Sequence, residues 1–248
     1  LVARGVLRPL HLPVVAPEAA VEAFRWMAEA RHIGKLALTL PEPPAPAERE
    51  WKGVTLITGG LGGLGLVTAS WLVEQGAREL LLLGRQPPTS AAQETIRRLE
   101  AAGARVSTAC ADVADPAALA RVLAALDASG GELRGVVHAA GVLDDGPLLQ
   151  QSPARLAAVM RPKVLGAWNL HTLTRDRPLQ RFILFSSVAA LLGSPGQAGY
   201  CAANAFLGAL AHHRRQLGLP AQSIAWGPWE RVGLAAAQAE RGARLAVR

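Results

Sequence analysis

From Val54 onward the chain alternates between two textures. Short, unbroken apolar runs stand at Val54–Thr58, Glu79–Leu83, Arg105–Cys110, Gly135–Ala139, Arg181–Phe185 and Gln222–Ala225. Between them lie stretches whose apolar residues recur every three or four positions: Leu64–Gln75, Ser90–Ala102, Pro116–Ala128, Ala154–Thr174 and Ala202–Leu217. The runs read as strands buried on both faces and the stretches as helices. Their alternation predicts a parallel sheet covered on both sides, because each parallel crossover returns through a helix. The expected fold is α/β, a doubly wound parallel sheet.

Upstream the texture changes. Val21–Arg31 ("VEAFRWMAEAR") reads as a helix and Lys35–Leu40 as a strand. The segment "PEPPAPAERE" (Pro41–Glu50) then loses all periodicity and reads as a linker. About forty residues do not close a core without staples, so residues 1–40 are expected to be the tail of a neighbouring domain.

Composition changes this picture little. Half of the 248 residues are hydrophobic, enough for a sizeable core. No apolar run reaches membrane-spanning length and the opening residues lack a signal-peptide layout, so no membrane attachment is expected. Cys110 and Cys201 sit in apolar sequence without metal-ligand spacing, which fits packed thiols in a reducing cytoplasm. The net charge of +7 raises the question of nucleic acid. Basic residues are scattered, however, aromatics are few, and "HHRRQ" (His212–Gln216) reads as a solvated helix face or as an attraction for phosphate-bearing or acidic partners. No nucleic-acid partner is expected.

The first strand runs into "TGGLGGLG", where Gly60, Gly62 and Gly65 satisfy G-x-G-x-x-G between a strand and a helix. Glycines there let the backbone approach a pyrophosphate, and the helix N-terminus offers free N–H groups to it. A glycine turn can also serve packing alone; the strand–turn–helix setting favours the dinucleotide. The second strand ends in "LLLGRQ", with Arg85 where an acid would take a ribose hydroxyl. Arginine suits a 2′-phosphate, which favours NADPH over NADH. In "CADVAD", Asp112 can accept from an adenine amine, whereas Asp115 reads as a helix N-cap.

Tyr200, the single tyrosine, is followed four residues later by Asn204 rather than by the lysine of a Y-x-x-x-K pair. "TGGLGGLG", "HAAGVLDDG", "FSSVAALLGSPGQAGYCAANAF" and "SIAWGPW" together resemble the ketoreductase domain of a modular polyketide synthase, a short-chain dehydrogenase relative, over roughly Trp51 to Gly233. The resemblance implies strand order 3-2-1-4-5-6, with the family's seventh strand missing from the end of this chain. It also answers for the lysine, which in such domains lies upstream. Here that is Lys163 of "VMRPKVLGAWNLH"; Lys35 and Lys52 are the other lysines. Ser187 stands thirteen positions before Tyr200, the family spacing.

These residue types match the chemistry. A ketone accepting hydride at carbon develops negative charge on oxygen. By resemblance Tyr200 would give that oxygen a proton while Ser187 hydrogen-bonds it. A free phenol has a pKa of about 10, and a nearby ammonium, Lys163, favours the phenolate. Lys163 would also bind the nicotinamide ribose, and Asn204 would hold the lysine or a water in place. The nucleotide is expected along Thr58, Gly60, Leu61, Gly62, Gly63, Leu64 and Gly65, against Arg85, Asp112 and Val113. At its nicotinamide end the resemblance adds Ala139, Ala140, Gly141, Gly227 and Pro228, together with Tyr200 and Lys163.

Stereocontrol is implied by the same resemblance. "VLDDG" carries the B-type signature at Leu143, Asp144 and Asp145, and Leu192 stands where A-type domains have tryptophan. Gln197 belongs to the same expected substrate side. The leading residues 1–40 resemble the end of an enoylreductase domain, 41–50 a linker, and 51–248 a ketoreductase catalytic domain shortened at its C-terminus. The implied activity is NADPH-dependent reduction of a β-ketoacyl thioester on an acyl carrier protein bearing phosphopantetheine. The enoylreductase and the ketoreductase structural subdomain would be further partners in one polypeptide. Two other readings are a freestanding short-chain dehydrogenase for small ketones and a non-catalytic scaffold domain; the enoylreductase-like tail and the intact residue set argue against them.

Overall fold

The computed structural model describes residues 12–39, 51–229 and 233. The expected linker and the end of the chain lie outside the described residues. The chain divides into two units, Leu1–Arg49 and Glu50–Arg248.

In the first unit, β1 (Val14–Val15) pairs in parallel with β2 (Ala37–Leu38), and α1 (Ala20–Ala28) lies between them in sequence. The helix ends three residues before Arg31 and the strand is shorter than its apolar run. Among the unit's described residues only Ala23 is buried, while Val21, Phe24, Met27 and Leu38 are exposed.

The second unit runs β3 (Val54–Thr58), α2 (Gly63–Glu74), β4 (Glu79–Gly84), α3 (Ser90–Ala101), β5 (Arg105–Cys110), α4 (Pro116–Ala128) and β6 (Leu133–His138). It continues through α5 (Pro153–Met160), a π-helical turn (Arg161–Leu165), α6 (Gly166–Thr174), β7 (Arg181–Ser187), α7 (Ala189–Leu192), α8 (Ala198–Gln216) and β8 (Gln222–Trp226). Its six strands are all parallel, in the order β5-β4-β3-β6-β7-β8. That is the 3-2-1-4-5-6 order, with no seventh strand among the described residues. The winding reverses between β3 and β6, and a ligand crevice opens beyond the carboxyl ends of the strands at such a switch point.

Neighbouring strand residues point to opposite faces and build two apolar layers. Leu56, Leu83, Val136 and Leu184 join Leu119, Leu170 and Leu207 on one side. Ile57, Leu82, Val137 and Phe185 join Leu72 and Leu99 on the other.

Three expectations change here. The long helix expected over Ala154–Thr174 is broken by the π turn, which contains Pro162. Proline has no N–H for the helical ladder, and a π turn absorbs the break. Cys110 is exposed on the edge strand rather than packed. The "HHRRQ" face is not wholly solvated: Arg214 is completely buried. Its guanidinium lies 3.7 Å from the Phe182 ring centroid, donates to the Pro220 carbonyl at 3.2 Å and meets His171 Nδ1 at 3.0 Å. A guanidinium only donates, so this nitrogen of His171 accepts. Burial lowers Arg214 to about 10, leaving it charged at neutral pH. It ties the far end of α8 to the sheet.

Candidate active site

A cleft of about 820 Å³ opens at the carboxyl ends of β3, β4, β6 and β7. Its floor is the glycine turn between β3 and α2. A Cβ at Gly65 would lie 2.2 Å from the Gly59 carbonyl oxygen, so strand and helix approach too closely for any side chain. At Gly62 the nearest protein atom to such a Cβ is 3.4 Å away. Protein packing does not demand glycine there, whereas a phosphate drawn onto the backbone would. No side chain caps α2, which leaves first-turn N–H groups and the positive dipole end for an anion. The donor set and the cradle fit a dinucleotide.

Thr58, Leu61, Gly62, Gly63, Leu64 and Gly65 line this part of the cleft; Gly60 instead packs against β3 and β4. Arg85 is exposed at the end of β4 and lines the cleft with Asp112 and Val113. Asp112 is already engaged: Oδ1 accepts from the Ala114 N–H at 2.9 Å and Oδ2 from Arg161 Nε at 3.3 Å. Asp115 caps α4 through the N–H groups of Ala117 and Ala118. Ala139, Ala140, Gly141, Gly227 and Pro228 line the other half.

There the proposed catalytic side chains meet. Ser187, the last residue of β7, and Tyr200, in the first turn of α8, both face the cleft. The helix starts at Ala198, earlier than its apolar pattern, and this places Tyr200 within it. Lys163 reaches the same place from the π turn. It is 4% exposed, with Nζ 5.8 Å from the Tyr200 ring centroid and donating to the Phe185 carbonyl at 2.8 Å. Its stem lies on Gly141, where a Cβ would come within 3.0 Å of Cε. Burial pushes Lys163 down to about 8.

Asn204 makes no direct bond to the lysine, and its Oδ1 is open to the expected water. It is fully buried and its Nδ2 donates to the Tyr200 backbone carbonyl at 2.8 Å. A carbonyl only accepts, so the amide nitrogen faces it and Oδ1 is left without a protein partner. The backbone carbonyl of Asn204 accepts from Ser186 Oγ at 2.9 Å, fastening α8 to β7.

Among the substrate-side candidates, Leu143, Leu192 and Gln197 line the cleft. Asp144 and Asp145 do not. Asp144 is paired with Arg155, and Asp145 accepts from Gln197 Nε2 at 2.9 Å.

Sequence reasoning missed His138. It ends β6 opposite Thr58 of β3, fully buried, with Nδ1 2.7 Å from Thr58 Oγ1. Burial first, and then the charge of Lys163, lower its pKa to about 3. The folded value thus lies below the unfolded one of about 6.5, and stability falls as pH drops from 6.5 towards 3. We expect His138→Asn, which keeps a partner for Thr58, to lose about 2 kcal/mol less than wild type between pH 6.5 and 5. Denaturant unfolding at the two pH values measures it; equal losses would mean that His138 is not buried neutral.

The model of the KR domain family matches residues 53–231. The chain belongs to this family. It is a ketoreductase-like domain of the modular type I polyketide synthases, in the short-chain dehydrogenase superfamily. The chain is 49% identical over 243 residues to the spectinabilin polyketide synthase system protein NorB of Streptomyces orinoci, covering 96% of this chain and 11% of that protein. It is 44% identical over 247 residues to mycoketide-CoA synthase of Mycobacterium tuberculosis, covering 97% of this chain and 6% of that one.

Solved ketoreductases resemble it over most of its length. PlmKR1, from the first module of phoslactomycin biosynthesis in Streptomyces sp. HK803, superposes with a TM-score of 0.73 at 44% identity, covering 82% of this chain and 47% of that chain. An A-type ketoreductase from a modular polyketide synthase gives 0.76 at 45%, covering 84% and 44%. The chain therefore spans under half of these structures and a small part of the synthases.

Proposed function

We propose that this KR domain reduces the ketone of a β-ketoacyl thioester held on an acyl carrier protein to the hydroxyl, using NADPH. The observation that carries this reading is the convergence of Ser187, Tyr200 and the buried Lys163 on the cleft into which the uncapped α2 opens. Bound NADPH supplies the hydride. The glycine turn and α2 would hold its pyrophosphate, Arg85 its 2′-phosphate, and Lys163 the ribose nearest the reacting carbon. Ser187 and Tyr200 hold the ketone oxygen, and Tyr200 gives it the proton.

The partners follow from the setting. The likeness of "AFRWMAEARHIGKLALTL" to the end of an enoylreductase is what supports reading residues 1–40 as the tail of a preceding one. The exposed apolar residues of α1 fit a piece whose core lies elsewhere. A ketoreductase structural subdomain is the other neighbour proposed. Leu143, Asp144 and Asp145, with Leu192 in place of tryptophan, support a B-type reading.

The test is NADPH oxidation by the synthase polypeptide supplied with a β-ketoacyl thioester. We expect turnover, and NADPH to bind at least tenfold more tightly than NADH, about 1.4 kcal/mol. Arg85→Ala should remove most of that preference. A wild type that binds both nucleotides equally would sink the cofactor assignment, and one without turnover would favour the scaffold alternative.

A further inference from the structure

One arginine organises the segment between β6 and α5, and nothing in the glycine, serine or tyrosine motifs points to it. Arg155, in the first turn of α5, places Nε 3.0 Å from both carboxylate oxygens of Asp144, and its Nη2 also donates to Oδ1. The same guanidinium donates to the Asp145 carbonyl at 2.9 Å and to the Gln150 carbonyl at 3.1 Å. Its hydrogen bonds and positive charge hold the Asp144 carboxyl below the usual range. Such a planar fork fixes direction as well as distance.

A second clamp grips the segment from the other side. Gln197 donates to Asp145 Oδ2 at 2.9 Å, and the Gly146 N–H donates to the Gly196 carbonyl at 2.8 Å. Both partners precede α8, close to Tyr200. A Cβ at Gly146 would lie 2.9 Å from Arg155 Nη1, so the backbone passes directly against the fork. Immediately before the clamped residues, Val142 and Leu143 form cleft wall, whereas the carboxylate of Asp144 is taken up by its ion pair.

We propose that Arg155 is a specificity-determining positioning residue: by locking the segment that carries Leu143, it decides which arm of the ketone fits the cleft. This rests on the functional reading above. With the ketone oxygen held by Ser187 and Tyr200 and hydride arriving from the cofactor's side, two poses remain. They differ by exchange of the two carbon arms and give opposite hydroxyl configurations. A rigid wall admits one pose, and a loose wall admits both. Asp144 then acts as the counter-charge of Arg155 and does not touch the substrate.

The experiment is reduction of a β-ketoacyl thioester by the synthase polypeptide, with the two hydroxyacyl configurations separated by chiral chromatography. The pair is about one-third exposed and contributes little to global stability, so Arg155→Met should fold. We expect it to raise the minor configuration at least tenfold, with NADPH affinity within twofold of wild type and faster amide exchange at Gly146. Arg155→Lys, which keeps the charge and loses the fork, should fall between. An unchanged ratio in Arg155→Met overturns the proposal. If that variant does not fold, Asp144→Asn decides: it weakens the same pair, should erode the ratio in the same direction, and an unchanged ratio overturns the proposal equally. A wild type that reduces no ketone instead ends the functional reading, and this inference with it.

Discussion

Tyr200→Phe is expected to slow ketone reduction at least a hundredfold, with NADPH affinity and melting temperature close to those of wild type. The substitution keeps the ring in the first turn of α8 and removes one oxygen. Nothing in the described structure relies on that oxygen for folding, since the Asn204 bond goes to the backbone carbonyl of Tyr200. On the proposed reading the transition state does rely on it. Negative charge builds on the ketone oxygen, and proton donation by a positioned group contributes about 10²–10⁴-fold. Ser187 does not replace it: its Oγ already accepts from the Ala189 N–H at 3.2 Å, which leaves its own proton for a hydrogen bond to the ketone and no base behind it. Steady-state rates at saturating thioester measure the effect. A phenylalanine variant within tenfold of wild type would move the proton source elsewhere.

How much of this was legible beforehand divides along a physical line. The parallel sheet was, because a strand buried on both faces must be largely apolar, and β3 is so buried and matches its run end to end; β5 keeps its expected bounds but is a largely exposed edge strand. Strand ends were less so. β7 continues through Ser186 and Ser187, which pair with Ala225 and Trp226, and two serines after an apolar run look like a loop. The glycine turn was legible from its strand–turn–helix setting, whereas Ser187, Tyr200 and Lys163, which line one cleft, entered through the family resemblance. His138, Arg155 and Arg214 were not legible, because the group that holds each of them belongs to another segment of the fold. The partner of His138 is Thr58 and that of Arg214 is His171. Arg155 falls in a helical pattern where a charged residue ordinarily faces water. Asn204 spends its amide nitrogen on the Tyr200 backbone carbonyl one turn behind it, a local helix bond, and its Oδ1 keeps an acceptor for the expected lysine or water.

Lys163→Met should cost about a hundredfold in reduction near pH 7 and remove the alkaline limb of the rate profile. At about the 5.8 Å that separates Nζ from the Tyr200 ring, a unit charge in an effective dielectric near 20 contributes about 3 kcal/mol, two powers of ten. Burial disfavours the charged amine and brings it down to about 8. The ammonium is therefore present below pH 8 and lost as pH rises through it, so the advantage of wild type over the variant should shrink from pH 7 to pH 9. Stability runs the other way. A lysine whose folded value lies below the unfolded one of about 10.4 destabilises the fold at neutral pH. The methionine variant should then be no less stable than wild type at pH 7, and a loss of rate without a loss of stability excludes misfolding. Lys163→Asn combined with Asn204→Lys moves the ammonium onto the helix of Tyr200 and should recover part of the rate. A wild-type-to-methionine rate ratio that stays constant between pH 7 and pH 9 would show that the charge of Lys163 plays no part in proton donation, leaving it only the ribose.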